Sequence, residues 1–221
     1  MSISYEEALK KLEILTEDDR VATQFELRSL ASEVSVDADG KITVLYGGTL
    51  ASGDGAGKVV KAMADNNSDL RVITNTQARL LLEDEFFKRA IAKSFGVARD
   101  LVDKNNGNPA NLFLEGTDGL WGDTSVRFIQ ETTGEVRILT ESPNPTRILY
   151  ARELPALIER LKDNSITAID GISRDDLLAN QRGQLRYLLY GKGILRCWPF
   201  QPACQNKQRY TKNFRQIVGM W

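Results

Sequence analysis

No histidine occurs anywhere in the 221 residues of this chain. That removes Ser-His and Cys-His nucleophile systems and nearly every ordinary zinc or haem site at once, so any catalysis must rest on carboxylates, hydroxyls or backbone groups. Cysteine is almost as scarce, with only Cys197 and Cys204 in a Trp- and Pro-rich stretch. They could close a small loop, but neither their number nor their spacing demands a bridge, and two buried or idle thiols is the plainer reading. Long apolar runs are missing too. Stretches such as Ile42–Tyr46 and Leu80–Leu82 fall far short of the roughly 18 residues that a bilayer-spanning helix requires, so no membrane partner is expected. The opening residues from Met1 to Glu7 have neither the basic nor the apolar region of a secretory signal, and any export is expected to use another route.

Acidic side chains vanish after Asp176, while Arg182, Arg186, Lys192, Arg196, Lys207, Arg209, Lys212 and Arg215 follow. The net charge of −1 therefore hides a basic C-terminal segment on an otherwise acidic chain. Such a segment could hold nucleic acid, an acidic protein or a phosphate-bearing ligand, or be a solvated face. Trp198, Phe200, Tyr210, Phe214 and Trp221 are interleaved with its cations, as stacking groups would be in a nucleic-acid-binding module.

What remains is an ordinary globular composition, 42% apolar and 27% charged, long enough for one sizeable core or two small ones. Helical spacing of Ala8, Leu9, Leu12 and Leu15, repeated over Gln24–Val34, predicts an N-terminal helical pair. Lys41–Tyr46 reads as a strand running into Gly47-Gly48, and Leu70–Thr74 as a second strand. Helices are expected through Val59–Met63, over Gln77–Leu82, over Glu85–Phe95, and over Asp123–Thr132 with Asp123 as N-cap. Asn105–Pro109 reads as a loop. Glu135–Leu139 and Arg147–Tyr150 are expected strands on either side of a turn at Glu141–Pro145, and Pro155 falls in the first turn of a helix over Leu154–Leu161. Ile166–Ile169 reads as a last strand, and Arg174–Tyr190 as a helix interrupted at Gly183. The alternation argues an α/β (α+β) fold, a small central sheet with flanking helices. The expected organisation is a helical segment over 1–36, one compact domain over 37–172 and a basic, aromatic segment over 173–221.

The glycine-rich stretch Ser52-Gly-Asp-Gly-Ala-Gly-Lys58 lies between a strand and a helix, where anions are often cradled. Its spacing fails both common fingerprints. A phosphate-binding P-loop needs Gly at position 52 and Ser or Thr at 59, and a dinucleotide fold needs Gly at 58; the chain has Ser52, Val59 and Lys58. A flexible connection is the favoured reading.

More specific is Leu120-Trp-Gly-Asp-Thr-Ser-Val-Arg-Phe-Ile129, followed by the strand Glu135–Leu139 and by Tyr150-Ala-Arg-Glu-Leu-Pro155. This pattern resembles the ADP-ribosyl cyclase family, which includes NAD glycohydrolase and cyclase ectoenzymes and bacterial toxin relatives. The resemblance covers about half the chain, roughly Ile42 to Leu157. It implies Trp121, Ser125 and Glu153 as catalytic residues. Tyr46, Gly47, Gly48, Thr74, Thr76, Glu83, Phe128 and Leu149 are implied as substrate-binding positions. Thr74 stands where the family has a second carboxylate, Gly47-Gly48 where it has a phosphate-binding Ser-Arg pair, and the ectoenzymes' many disulfides are absent.

The residue types suit that chemistry. Breaking a nicotinamide–ribose bond passes through an oxocarbenium-like state, which a fixed carboxylate such as Glu153 stabilises selectively. Nicotinamide leaves readily without a general acid, as a chain lacking histidine requires. Trp121 offers an aromatic face for a ring, and Ser125, one helical turn on, lies on the same side. Singly, each has a plainer role: Trp121 as core, Glu153 as a first-turn acid favoured by a helix dipole, Glu83 with Asp84 and Glu85 as a solvated helix face. The resemblance thus implies cleavage of NAD+ to nicotinamide and ADP-ribose, with some cyclic ADP-ribose, and NAD+ as a substrate rather than a cofactor. ADP-ribosyl transfer in the same pocket is the near alternative. A toxin or effector acting in a target cytoplasm, with a neutralising immunity protein, is the implied setting, and no metal site is expected.

Overall fold

Two capping boxes set the N-terminal helix pair. Ser4 and Glu7 bond reciprocally at the start of α1 (Tyr5–Leu15), and Thr23 and Glu26 do so at α2 (Gln24–Glu33), which satisfies N–H groups that a first helical turn leaves without acceptors. The computed structural model describes residues 2–50, 52–140 and 146–179. The turn expected at Glu141–Pro145, both cysteines, the basic residues from Arg182 onward and any helix past Ala179 lie outside the described residues.

After α2 the chain alternates strands and helices: β1 (Ile42–Tyr46), α3 (Ala56–Asn66), β2 (Leu70–Arg71), α4 (Gln77–Glu83), α5 (Glu85–Phe95), α6 (Asp100–Asp103), α7 (Pro109–Glu115), α8 (Leu120–Gln130), β3 (Gly134–Leu139), α9 (Leu154–Lys162), β4 (Ile166–Ile169), β5 (Ile172–Ser173) and α10 (Arg174–Ala179). The strands form one sheet in the order β2-β1-β3-β4-β5, parallel except for the β4–β5 pair. The fold is thus mixed α/β. Side chains alternate between the faces of a strand, so Val44 and Leu139 pack with Val60 and Ala64 of α3 on one face, while Leu45 and Ile138 join the larger core on the other. That core also takes in Leu12 and Leu27 of the N-terminal pair, Phe87, Phe128, and Leu157 of α9.

The strand order positions the site. The β1–α3–β2 connection leaves β1 towards one edge of the sheet, whereas β3 and α9 continue towards the other, on the opposite face. Between the carboxyl ends of β1 and β3 the chain directions diverge, and a crevice opens there as in other open α/β sheets.

Several elements differ from expectation. The strand at Leu70–Thr74 stops at Arg71, because Thr76 caps α4, accepting from the Arg79 N–H at 3.2 Å and donating to the Ile73 carbonyl at 2.8 Å, and so turns Ile73–Asn75 into a short 3-10 helix. Arg147–Tyr150 is not a strand. Its residues enter a π-helical turn, Leu149–Glu153, that runs directly into α9. The Leu154 N–H reaches the Leu149 carbonyl five residues back, and the wider turn accommodates the ring of Pro155 in the first turn of α9. It also buries Leu149, Glu153, Leu154 and Leu157 together, which decided against the local β preference. The α8 helix begins at Leu120 with Gly119 as N-cap, so Asp123 lies within the first turn. α6 and α7 were not foreseen: Asn108 caps α7, accepting from the Asn111 N–H at 2.9 Å, with Pro109 at the first helical position. The supposed last strand, β4, pairs with β5 through a turn in which Asp170 and Gly171 both have positive φ. No helix among the described residues is long and apolar enough to cross a membrane.

Candidate active site

A cleft of about 800 Å³ occupies the crevice at the ends of β1 and β3. Its walls are the loop Tyr46–Thr49, the start of α3 at Gly55–Gly57, the end of α7 at Glu115 with Gly116 and Thr117, Trp121 and Ser125 of α8, and Arg147, Leu149 and Glu153 from the segment entering α9. Trp121 and Ser125 reach it together because they stand one turn apart on α8. The first turn of α8 fits only because residue 122 is glycine: a Cβ there would lie 1.9 Å from the Thr117 carbonyl oxygen.

Glu153 is the electrostatic centre. It is only 7% exposed, the Ser125 hydroxyl donates to its carboxylate, and its Oε2 has no hydrogen-bond partner. Burial pushes its carboxyl up to about 7, against the smaller opposing effect of the Ser125 bond. Tyr46, next along the wall, is pushed up to about 12 by burial first and by the charges of Glu153 and Glu83, with Arg79 opposing, so its phenol stays protonated. On the other side the Trp121 indole N–H donates to Glu115. Solvent reaches Glu115 through the cleft, yet partial burial raises its carboxyl above the usual carboxylate range, against the charge of Lys88 and, more weakly, the Trp121 bond. The cleft therefore contains two carboxyls that accept protons more readily than free ones, each held by a neighbour on α8.

Of the sequence-predicted residues, Trp121, Ser125, Glu153, Tyr46, Gly47, Gly48 and Leu149 all line this one cleft. Four do not. Phe128 is 1% exposed in the core, where the buried Arg71 guanidinium stacks 4.1 Å from its ring centroid and bonds Thr132 at 2.7 Å; at three residues beyond Ser125 it has rotated away from the cleft. Thr76 is consumed in capping α4, and Thr74 lies beside the cleft residue Ile73 without lining the wall, its hydroxyl buried and unpartnered. Glu83 is an exposed partner of Arg79 at 2.5 Å and reaches the site only as a charge felt by Tyr46 and Glu115.

Sequence reasoning missed Glu115 and Arg147, and it set aside as a flexible connection the glycine-rich stretch whose Gly55–Gly57 open α3 in the cleft wall. The Asn108-Pro109 pair, a cap followed by a first-position proline, was the signal that would have placed a helix before Trp121 and Glu115 at its end. Arg147 was hidden by the strand reading of its segment. Among the described residues no cluster of His, Cys, Asp or Glu could hold a metal ion. No family model, no curated protein and no solved structure matches the chain.

Proposed function

We propose that this chain is an NAD+ glycohydrolase of the ADP-ribosyl cyclase type, with a fold akin to that family's. The observation that carries the reading is Glu153: a carboxylate 7% exposed, with one oxygen buried and unpartnered, in the wall of a cleft also lined by Ser125 and Trp121. A buried carboxylate is costly unless a ligand uses it, and this one meets an aromatic face and a hydroxyl, as the resemblance implies.

The nicotinamide ring stacks on Trp121 and the ribose lies over Glu153. The ring's positive charge favours the ionised carboxylate. As the glycosidic bond breaks, its electron pair leaves with neutral nicotinamide and positive charge develops on the ribose carbon beside Glu153. Ser125 holds the carboxylate in place. Water attacks the cation and loses a proton, so NAD+ and water give ADP-ribose, nicotinamide and H+; attack by the adenine ring instead gives cyclic ADP-ribose. The implied setting, an effector that depletes NAD+ in a target cytoplasm and is restrained by an immunity protein, belongs to the same proposal.

Chromatography of products after incubation with NAD+ tests the reading. Nicotinamide and ADP-ribose should accumulate with the parent and fall about 10²- to 10³-fold with Glu153→Gln, the scale of losing a preorganised electrostatic contact. Absence of nicotinamide release by the parent overturns it. Modification of an added protein by ADP-ribose would redirect it to the transferase alternative.

A further inference from the structure

We propose that Arg147 and the N-terminus of α3 form a subsite for the pyrophosphate of a dinucleotide. The inference rests on the NAD+ reading of the cleft and names the part of the substrate that this wall receives.

The α3 helix has 11 residues and starts at Gly55 without a side-chain cap. The Ala56 N–H is taken by the Gly48 carbonyl at 3.0 Å, but the Gly57 N–H meets no acceptor among the described residues. Gly57 is pressed against the Tyr46 ring, which a Cβ would meet at 2.9 Å, so no side chain shields that N–H. A helix start with free N–H groups attracts anions.

Arg147 is the one cationic residue of the cleft wall among the described residues, whose other charged members are Asp103, Glu115 and Glu153. Its carbonyl accepts from Tyr150 and Ala151 at 3.0 and 2.9 Å, which fixes its backbone at the entry to the π-helical turn. Its guanidinium has no carboxylate partner among the described residues, whereas eight other arginines there are ion-paired. The second, independent sign of a ligand is the orphaned Oε2 of the buried Glu153 in the same cleft. One wall thus asks for an anion and another for a hydroxyl or a carbon bearing positive charge. A ribose joined to a diphosphate supplies both in one molecule, and the cleft volume falls in the range of ligand sites. A guanidinium matches phosphate oxygens with paired donors.

The test compares Arg147→Ala and Arg147→Lys with the parent full-length chain, using NAD+ and nicotinamide riboside, which has the same scissile bond and no phosphate. Arg147→Ala should raise KM for NAD+ roughly ten- to hundredfold, the scale of one charged hydrogen-bonding group, with kcat changed less than about threefold and Arg147→Lys recovering part of the loss. The loss in kcat/KM for nicotinamide riboside should stay below about threefold. An unchanged KM for NAD+, or equal losses on both substrates, overturns the subsite while leaving the glycohydrolase intact. If the parent releases no nicotinamide at all, the functional reading has failed, and calorimetry decides the subsite separately. ADP-ribose and inorganic pyrophosphate that bind the parent and bind Arg147→Ala at least tenfold more weakly, with adenosine unaffected, support it; equal binding, or none, overturns it.

Discussion

Arg152 donates to Asp123 at 3.0 Å, one residue from Glu153 on the π-helical turn and two residues from Ser125 on α8. The same guanidinium holds Asp118 at 2.7 Å, and Asp123 also holds Arg28 of α2. These ion pairs fasten together the two elements whose side chains meet at the Ser125–Glu153 hydrogen bond. They are partly solvent-exposed, Asp123 by 38% and Arg152 by 28%, so each adds at most about 1 kcal/mol to stability. Asp123→Asn should therefore lower the denaturation midpoint only slightly, yet reduce NAD+ turnover several-fold by loosening the placement of Glu153. Parallel urea titration and nicotinamide assays check this; an activity loss no larger than the loss of folded protein would reduce the pair to a surface feature.

Glu153 also makes stability depend on pH, with a sign opposite to that of a salt-bridged acid. Its carboxyl ionises at about 7 in the fold and at 4.5 otherwise. Between those values the unfolded chain has released the proton that the native state still holds, so stability falls as pH rises and the full cost is reached above about 7. A shift of this size corresponds to about 3 kcal/mol. Glu153→Gln removes the cost, and the variant should gain on the parent progressively from pH 4.5 to 7.5 in urea unfolding. A constant difference across that range would mean the carboxyl is not desolvated as described.

The same group sets the pH dependence of turnover. If the ionised form works, activity rises with pH through about 7 and then levels. Ser125 donates to the carboxylate and favours ionisation, so Ser125→Ala should move the rising limb to higher pH by up to about one unit, the scale of one hydrogen bond, while activity well above the limb largely recovers. A uniform loss at every pH would instead assign Ser125 to direct contact with substrate.

Much of this site could be read from local pattern, and the part that could not is non-local. Trp121 and Ser125 share a face because they are four residues apart, which a sequence shows. The caps at Ser4 and Thr23 are equally local. That Glu153 meets Ser125 depends on how β1, β3 and α9 are ordered in space, which no local pattern shows. The segment Arg147–Tyr150 misled because Ile, Leu and Tyr favour strands when half buried, whereas Leu149 and Glu153 at helical spacing find burial against α8. That error concealed Arg147. Glu115 went unseen because Asn105–Pro109 reads as a loop until Asn108 is recognised as a cap. Phe128 was carried over with Trp121 and Ser125, but the helix turns it into the core.

Gly122 ties the position of Trp121 to a close backbone approach. A Cβ at this residue would lie 1.9 Å from the Thr117 oxygen and 2.8 Å from its carbonyl carbon, and backbone cannot step aside as a flexible side chain can. Gly122→Ala should therefore cost about 1–3 kcal/mol, the usual penalty of overpacking, and displace Trp121 and its bond to Glu115. Turnover should drop beyond what the stability loss explains. Gly57→Ala is the contrasting case, since its Cβ would meet only the ring edge of Tyr46 at 2.9 Å, and a half-buried ring at a cleft wall can tilt away. Its denaturation midpoint should stay nearer the parent's. Urea titration of both variants separates the two. A Gly122→Ala midpoint equal to that of the parent would show that the α8 start is looser than its geometry implies.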